Sequence, residues 1–225
     1  MRTKALFLIT ISAFAAALSA CGSGANTNNS MSHANMDHSV ASPQAQDKNL
    51  ARGEQMDHST MDHSAMKSSP DAAKAEYDVQ FLDTMIVHHQ GAVDMAKLIP
   101  GKALNGELKK LGIQIISSQE KEIAAMREWR AKWFGGKPEA LNMEMPGMNA
   151  SMAGMDMKKL GGLSGKAFDV EFVKQMIPHH EGAVVMAKEA QKKSQKDEIK
   201  TLAAGIIRDQ EAEILQMKGW LEEWK

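Results

Sequence analysis

The sequence predicts an all-α protein, a four-helix bundle made of two repeated helical hairpins and preceded by a disordered tail. The segment FLDTMIVHHQGAVDMAK at 81–97 recurs as FVKQMIPHHEGAVVMAK at 172–188, and the match extends without a gap at a constant offset of 91 residues. Apolar residues recur at three- and four-residue steps in both units, whereas no segment sustains the two-residue alternation of a strand. Each unit is therefore predicted to form two helices, and short connections favour antiparallel neighbours.

The N-terminal segment has the pattern of a bacterial lipoprotein signal. Arg2 and Lys4 precede a short apolar run, and residues 18–21 read LSAC, which resembles a lipobox cleaved before Cys21. Residues 1–20 are therefore predicted to be a signal peptide and Cys21 a lipidation site. The alternatives are an ordinary secreted protein with a spare cysteine and an uncleaved anchor. We expect a lipid-anchored protein of the cell envelope that faces the periplasm or the cell exterior.

The next segment, residues 21–69, is rich in Ser, Asn, Asp and Ala and contains no aromatic residue, so it is predicted to be a disordered tether. It repeats methionine and histidine in short units such as MDHSTMDHSAM at 56–66. A disordered segment has no core in which to bury methionine, so we favour soft-metal capture over compositional drift. The candidate capture residues are Met31, His33, Met36, His38, Met56, His58, Met61 and His63.

The two hairpins are predicted over residues 70–134 and 166–225. The first helix is expected to begin at Ser69-Pro70, with Ser as its N-cap, and to end at Pro100-Gly101. A flexible, Met-rich linker at 135–165 joins the hairpins and contains no histidine. Soft-metal capture is predicted for this linker as well, with compositional drift as the alternative. Its candidate residues are Met143, Met145, Met148, Met152, Met155 and Met157.

Each repeat carries Met-x-x-His-His on its first helix. Met85 lies three residues before His88, so the two side chains can approach each other on one helical face. Core packing is the alternative, because a methionine stripe at helical spacing usually belongs to a core. Burying four imidazoles without partners would destabilise the fold, however, so the pattern favours metal ligation. The candidate ligands are Met85, His88, His89, Met95, Met176, His179, His180 and Met186.

Thioether and imidazole ligands favour copper, Cu(I) first and Ag(I) next, over iron, magnesium or calcium. Methionine and histidine also suit an oxidising compartment, where a cysteine ligand would oxidise. Gln119 and Gln210 occupy equivalent positions on the second helix of each hairpin. They are candidate acceptors for the imidazole N–H groups, with ordinary interhelical polar contact as the alternative.

The segments MIVHHQGAVDMA and MIPHHEGAVVMA resemble the signature of domain-of-unknown-function family 305, and the resemblance covers both hairpins. The resemblance implies a ferritin-like helical fold in the bacterial envelope. It also implies copper binding and resistance, as in periplasmic copper-binding proteins of the CopM type. By motif position it implies the same eight ligands. The first repeat departs from the pattern in having Val87 where the second keeps Pro178.

The main functional hypothesis is an extracytoplasmic soft-metal binding protein for copper sequestration, resistance or handover. One alternative is a ferritin-like metal-dependent oxidase that uses Asp78 and Glu122, and another is a structural helical module of the envelope with packed histidines. No Ser-His-Asp, P-loop or haem-attachment pattern is present, so we do not expect an enzyme. The expected partners are a metal ion, the membrane through the lipid anchor, copper-efflux or copper-oxidase proteins, and a second copy of the chain. A net charge of −1 without a basic patch argues against nucleic acid.

Overall fold

The structure is a computed structural model that describes residues 66–224, so the predicted signal peptide, Cys21 and most of the tether lie outside the described residues. Every regular element in residues 66–224 is helical, which confirms the all-α prediction. The four long helices are α1 (Tyr77–Ala96), α3 (Gly106–Phe134), α6 (Gly165–Lys193) and α7 (Asp197–Glu223). Three short helices complete the fold: α2 (Ile99–Lys102), α4 (Met148–Met152) and α5 (Met157–Gly161).

The long helices form two hairpins, in which α1 packs along α3 and α6 packs along α7. The hairpins meet through α1 and α6, and equivalent carboxylates tie them together reciprocally. Asp169 on α6 accepts hydrogen bonds from the backbone N–H groups of Leu104 and Asn105, in the turn of the first hairpin. Asp78 on α1 accepts one from Gln195, in the turn of the second hairpin. The sequence repeat thus extends to the hydrogen bonds between the hairpins, since Asp78 and Asp169 occupy equivalent positions and each binds the turn of the other hairpin.

The helix faces follow the predicted periodicity. Every residue of α1 is buried or half-buried, because α3, α6 and α4 all contact it. The second helix of each hairpin instead buries one stripe and exposes the opposite face, as expected for an outer helix of a bundle. Helix α6 continues through Pro178 to its end at Lys193. In residues 66–224, no helix combines the length and the apolar character needed to cross a bilayer.

The predicted start and end of the first helix are wrong. Asp71 has a left-handed backbone (φ 56°), a 3-10 turn covers Ala72–Lys74, and α1 begins only at Tyr77. The N–H of Ser69 donates to the carbonyl of Leu141, so this serine belongs to a tertiary contact and does not cap a helix. At the other end, Pro100-Gly101 lies inside α2, where proline is tolerated because the first helical residues need no N–H partner.

The prediction of a flexible linker is also wrong, because residues 135–165 fold into the core. Helix α4 packs on α6 and contacts α1. Two glycines allow this close approach: a Cβ on Gly182 would lie under 3.0 Å from Ser151 and from the carbonyl oxygen of Gly147, which itself has φ +96°. Five of the six linker methionines are buried, namely Met143, Met145, Met148, Met152 and Met155, whereas Met157 is half-buried.

Hydrogen bonds hold the N-terminal part of the core-packed linker. The guanidinium of Arg130 pairs with Asp83 at 2.8 Å and donates to the carbonyl of Pro138, while Asp83 also accepts from the N–H of Ala140. Ser68, in the last part of the predicted tether, accepts from the N–H of Met143. Residues 66–69 therefore belong to the folded domain rather than to a disordered segment.

Candidate metal centre

The four histidines of the repeated motif lie at the centre of the fold, and none is exposed to solvent. His88 and His179, which are equivalent residues of the two repeats, approach each other with ring centroids 3.8 Å apart. The adjacent rings are wider apart, at 6.3 Å for His88 and His89 and 6.2 Å for His179 and His180, with the same 55° tilt. The packing of α1 on α6 therefore brings all four imidazoles into one buried group across the hairpin interface.

The outer histidine of each pair is bound to a glutamate of its own hairpin. The Nε2 atom of His89 lies 2.8 Å from a carboxylate oxygen of Glu122, and Nε2 of His180 lies 2.7 Å from Glu213. These contacts are equivalent under the 91-residue offset, and both carboxylates are about four-fifths buried, with side-chain exposures of 20% and 18%. Each carboxylate thus reaches from the bundle surface to a histidine of the core.

The inner histidine of the first repeat is bound by the linker. The Nε2 atom of His88 lies 2.9 Å from the hydroxyl oxygen of Ser151 on α4. That hydroxyl also donates to the carbonyl of Met148, 2.8 Å away. This contact could not be predicted from the sequence, because Ser151 is 63 residues from His88 and lies in a segment without histidine.

The other ring nitrogen of these histidines has no hydrogen-bond partner. The Nδ1 atoms of His88, His89 and His180 are buried, and no donor or acceptor within residues 66–224 reaches them. A buried polar atom without a partner costs about 1–3 kcal/mol of stability. Three such atoms in one buried core are the observation that fits a bound cation, because a neutral imidazole nitrogen is a metal ligand.

The predicted methionine ligands lie in the same core. Met85, Met95, Met176 and Met186 are all at most 1% exposed, on the two helices that carry the histidines. Linker residue Met155 and His179 both lie close to Gly91. A Cβ added to Gly91 would be 3.3 Å from the sulfur of Met155 and 3.4 Å from Nε2 of His179. Thioether groups from both the helices and the linker therefore lie in the same buried core as the imidazoles.

The glutamines named from the sequence face inward but do not accept from the histidines. Gln119 and Gln210 are 2% and 4% exposed, and the side-chain oxygen of each makes no hydrogen bond with any residue in 66–224. Glu122 and Glu213, one helical turn further along, take the role that was predicted for these glutamines. The signal was present in the sequence, because both His–Glu pairs have the same 33-residue separation.

A hard-ligand centre does not form in the described part of the chain. No three side chains of the His, Cys, Asp or Glu kinds converge in residues 66–224 to hold a metal. The two carboxylates considered for an oxidase have other partners, since Asp78 binds the N–H of Gln195 and Glu122 binds His89. A metal ion in this core would therefore need thioether ligands beside the imidazoles, and such a set is soft.

Burial lowers the pKa of His88 well below the ordinary histidine value of 6.5, and the neighbouring imidazoles, first that of His179, lower it further. The ring is fully buried, so an added charge would lose its hydration, and a charged neighbour would repel it. His88 is therefore neutral at pH 7 and available as a ligand.

This lowered pKa predicts how the metal-free protein responds to acid. Below pH 6.5 the unfolded chain binds a proton at His88 that the folded chain does not bind. The free energy of unfolding therefore decreases by about 1.4 kcal/mol for each unit by which the pH is lowered, from this group alone. The loss continues until the pH reaches the pKa of the folded state. Urea unfolding at pH 7.0, 6.0 and 5.0 measures this loss. In His88→Gln the free energy of unfolding should decrease less as the pH is lowered. An equal slope in that variant would contradict the assignment.

Comparisons with known proteins place the chain among helical metal-binding relatives. The family profile of DUF305, a domain of unknown function, matches residues 78–221. The chain is 41% identical to CopM in a Cu(II)-bound form, with a TM-score of 0.58, over 66% of this chain and 97% of that chain. CopM has also been solved in Cu(I)-bound, Ag-bound and apo forms, each with a TM-score of 0.56.

A DUF305 protein of Streptomyces coelicolor, described as secreted, is 31% identical to the chain. Its TM-score is 0.58, and the match covers 69% of this chain and 96% of that chain. No curated protein sequence gives a significant match. The solved relatives thus correspond over nearly their whole length to the helical part of this chain.

Proposed function

This chain belongs to the DUF305 family, and on that premise we propose that it is an extracytoplasmic copper-binding protein that holds Cu(I) at the buried methionines and histidines of its two repeats. The proposed ligands are those of the two Met-x-x-His-His motifs and the methionine two turns after each. The observation that carries the proposal is the set of three buried Nδ1 atoms without a hydrogen-bond partner.

The relatives support copper as the metal. CopM has been solved with Cu(I), with Cu(II) and with silver, and this chain covers 96–97% of its length at about 40% identity. Silver in its monovalent state is a close mimic of Cu(I) toward soft ligands, so the two metals imply one kind of site. Here, thioethers beside neutral imidazoles in a dry core favour the monovalent state in the same way.

The metal would bind to the chain's own residues in defined roles. The imidazoles supply nitrogen ligands, the thioethers supply soft sulfur, and the apolar surroundings exclude the water that would favour Cu(II). Glu122, Glu213 and Ser151 orient three of the rings.

We further propose a division of labour along the chain. The Met/His units of the tether would collect copper loosely, as expected of the disordered segment that the sequence predicts, and the helical domain would hold it tightly. A lipid on Cys21 would keep the protein at the envelope, where it sequesters copper or hands it to efflux or copper-oxidase proteins. The Streptomyces relative, whose description calls it a secreted protein, supports a position outside the cytoplasm.

A thermal-shift measurement with Ag(I) tests the proposal. A ligand that binds only the folded state stabilises it by about 2.7 kcal/mol at 100 times its dissociation constant, which raises the Tm of a domain of this size by about 5–10 °C. The tether is predicted to be disordered, so its ligands should bind the folded and unfolded chains alike. Silver bound there should therefore not change the Tm. An unchanged Tm would favour a purely structural helical module instead.

A further inference from the structure

The core histidines are closed off from solvent, so an ion reaches them only if part of the fold opens. Helices α3 and α7 cover α1 and α6 along their length, and the linker covers them elsewhere, with Ser151 on His88 and Met155 beside Gly91. We propose that residues 147–155, here called the strap, open to admit a soft monovalent cation and close over it. The strap then sets the rate at which metal enters and leaves. This inference rests on the proposed copper binding and adds the route to that site.

The linker is held on both sides of the strap. Before the strap, the backbone N–H of Ala140 donates to the carboxylate of Asp83 on α1, at 2.8 Å. After the strap, the backbone N–H of Asp156 donates to the side-chain oxygen of Gln175 on α6, at 2.9 Å. An opening motion is therefore confined to the segment between these two anchors.

The strap depends on tertiary packing for its order. The N–H of Ser151 donates to the carbonyl of Gly147, and the N–H of Ala153 donates to the carbonyl of Asn149, so these bonds lie within the strap. Its helix, α4, has only five residues. A helix this short is not stable in water by itself. When the strap leaves the core, its backbone N–H groups therefore become exposed to solvent.

The strap meets α6 through small groups. A Cβ on Gly182 would lie 2.4 Å from Cβ of Ser151 and 2.5 Å from the carbonyl oxygen of Gly147. The buried side chains of the strap are few, namely those of Met148, Ser151, Met152 and Met155. The long helices bury many more side chains, and local opening costs least where fewest are buried. We therefore expect the strap to open before α3 or α7 does.

The inner side of the strap suits a soft cation. Three of its four buried side chains are methionines, whose thioethers select Cu(I) and Ag(I) over hard cations. These thioethers become accessible when the strap opens and return to the core when it closes. The last part of the tether is bound to the linker shortly before the strap, where the hydroxyl of Ser68 accepts from the N–H of Met143. An ion that leaves the tether therefore has soft ligands on the way to the core.

Hydrogen exchange of the full chain, with and without Ag(I), tests whether the strap opens. In the metal-free protein we expect the N–H groups of Ser151 and Ala153 to exchange at least about 10-fold faster than those of central α1 and α6, and to slow when silver binds. Exchange as slow as in α1 would overturn the inference. A silver-induced rise in Tm with unchanged strap exchange would also overturn it but leave the proposed copper binding intact. No rise in Tm would contradict the copper binding itself.

Transfer of Ag(I) from the protein to a chelator tests whether opening limits release. If the strap must open first, the release rate should reach a plateau as the chelator concentration rises, because opening does not involve the chelator. A release rate that keeps rising in proportion to chelator concentration would show that the bound ion is directly accessible and would overturn the inference.

Two glycine variants should shift the rates in opposite directions. Gly182→Ala forces the strap away from α6 and should raise both uptake and release by about 10- to 100-fold. Gly154→Ala should lower both by about 2- to 5-fold, because alanine restricts the open chain and its Cβ meets nothing nearer than 3.7 Å in the closed state. Gly205→Ala in α7 is the matched control and should change neither rate.

The uptake rate separates a gate from simple damage to the site. A damaged site releases metal faster but does not take it up faster, whereas a loosened strap speeds both. An uptake rate that is unchanged in both Gly182→Ala and Gly154→Ala would overturn the inference.

Discussion

Replacing the four buried histidines with glutamine is expected to remove the tightest class of Cu(I) sites, with a loss of more than about 100-fold in affinity. Loss of one group that merely orients a ligand costs about 10- to 100-fold in metal affinity, and here the ligands themselves are lost. Glutamine retains much of the side-chain volume, so the cavity left in the core is small. Weaker binding should persist, because the tether keeps its methionines and histidines.

An anaerobic competition titration against a chromophoric Cu(I) chelator measures this loss. The matched control replaces the four tether histidines, His33, His38, His58 and His63, with glutamine and should lower capacity more than the tightest affinity. Circular dichroism checks that both variants remain helical. If the tether variant lost the tightest class and the buried variant kept it, the proposed site would be in the wrong part of the chain.

Replacing Gly182 with alanine is expected to destabilise the fold by about 3 kcal/mol. The added Cβ would lie under 3.0 Å from the side chain of Ser151 and from the carbonyl oxygen of Gly147, so α4 would have to move off α6. Overpacking of this kind costs about 1–3 kcal/mol, and a clash with backbone belongs at the upper end. Ser151 would also leave His88, so silver binding should weaken in the same variant.

Urea unfolding of the metal-free protein measures the cost, with Gly205→Ala as the control. Gly205 lies inside α7, where an added Cβ meets nothing within 4 Å. Alanine there should stabilise the helix by about 0.5–1 kcal/mol, because glycine is the poorer helix former. Equal stability of the two variants would show that α4 does not depend on close contact with Gly182.

The repeated helices could be predicted from sequence because their signal is local. The three- and four-residue spacing of apolar residues places Met85 and His88 on one buried face, and α6 repeats that face 91 residues later. The predicted end of the first hairpin at residue 134 and the predicted limits of the second at 166 and 225 agree with the structure to within about two residues. The first helix start failed because Ser69 is used in a contact with residue 141, which no local pattern reveals.

The linker and the partners of the histidines could not be predicted in the same way. A Met-rich segment without a long helix has the composition expected of a metal-capturing segment. Its tertiary packing, in the burial of its methionines and the close approach at Gly182, shows that it is core. The contact between His88 and Ser151 depends on how α4 lies across α1 and α6, which is a tertiary property. The contacts of Glu122 and Glu213 could have been predicted, because the repeat places each glutamate 33 residues after its histidine.

The tightly held metal is proposed to lie among the buried histidines, and anomalous diffraction from crystals of the chain grown with Ag(I) would locate it. We expect silver peaks within bonding distance of ring nitrogens of the buried imidazoles, with methionine sulfur completing the coordination. Silver found only at surface carboxylates or tether residues, with the core imidazoles unbound, would contradict it.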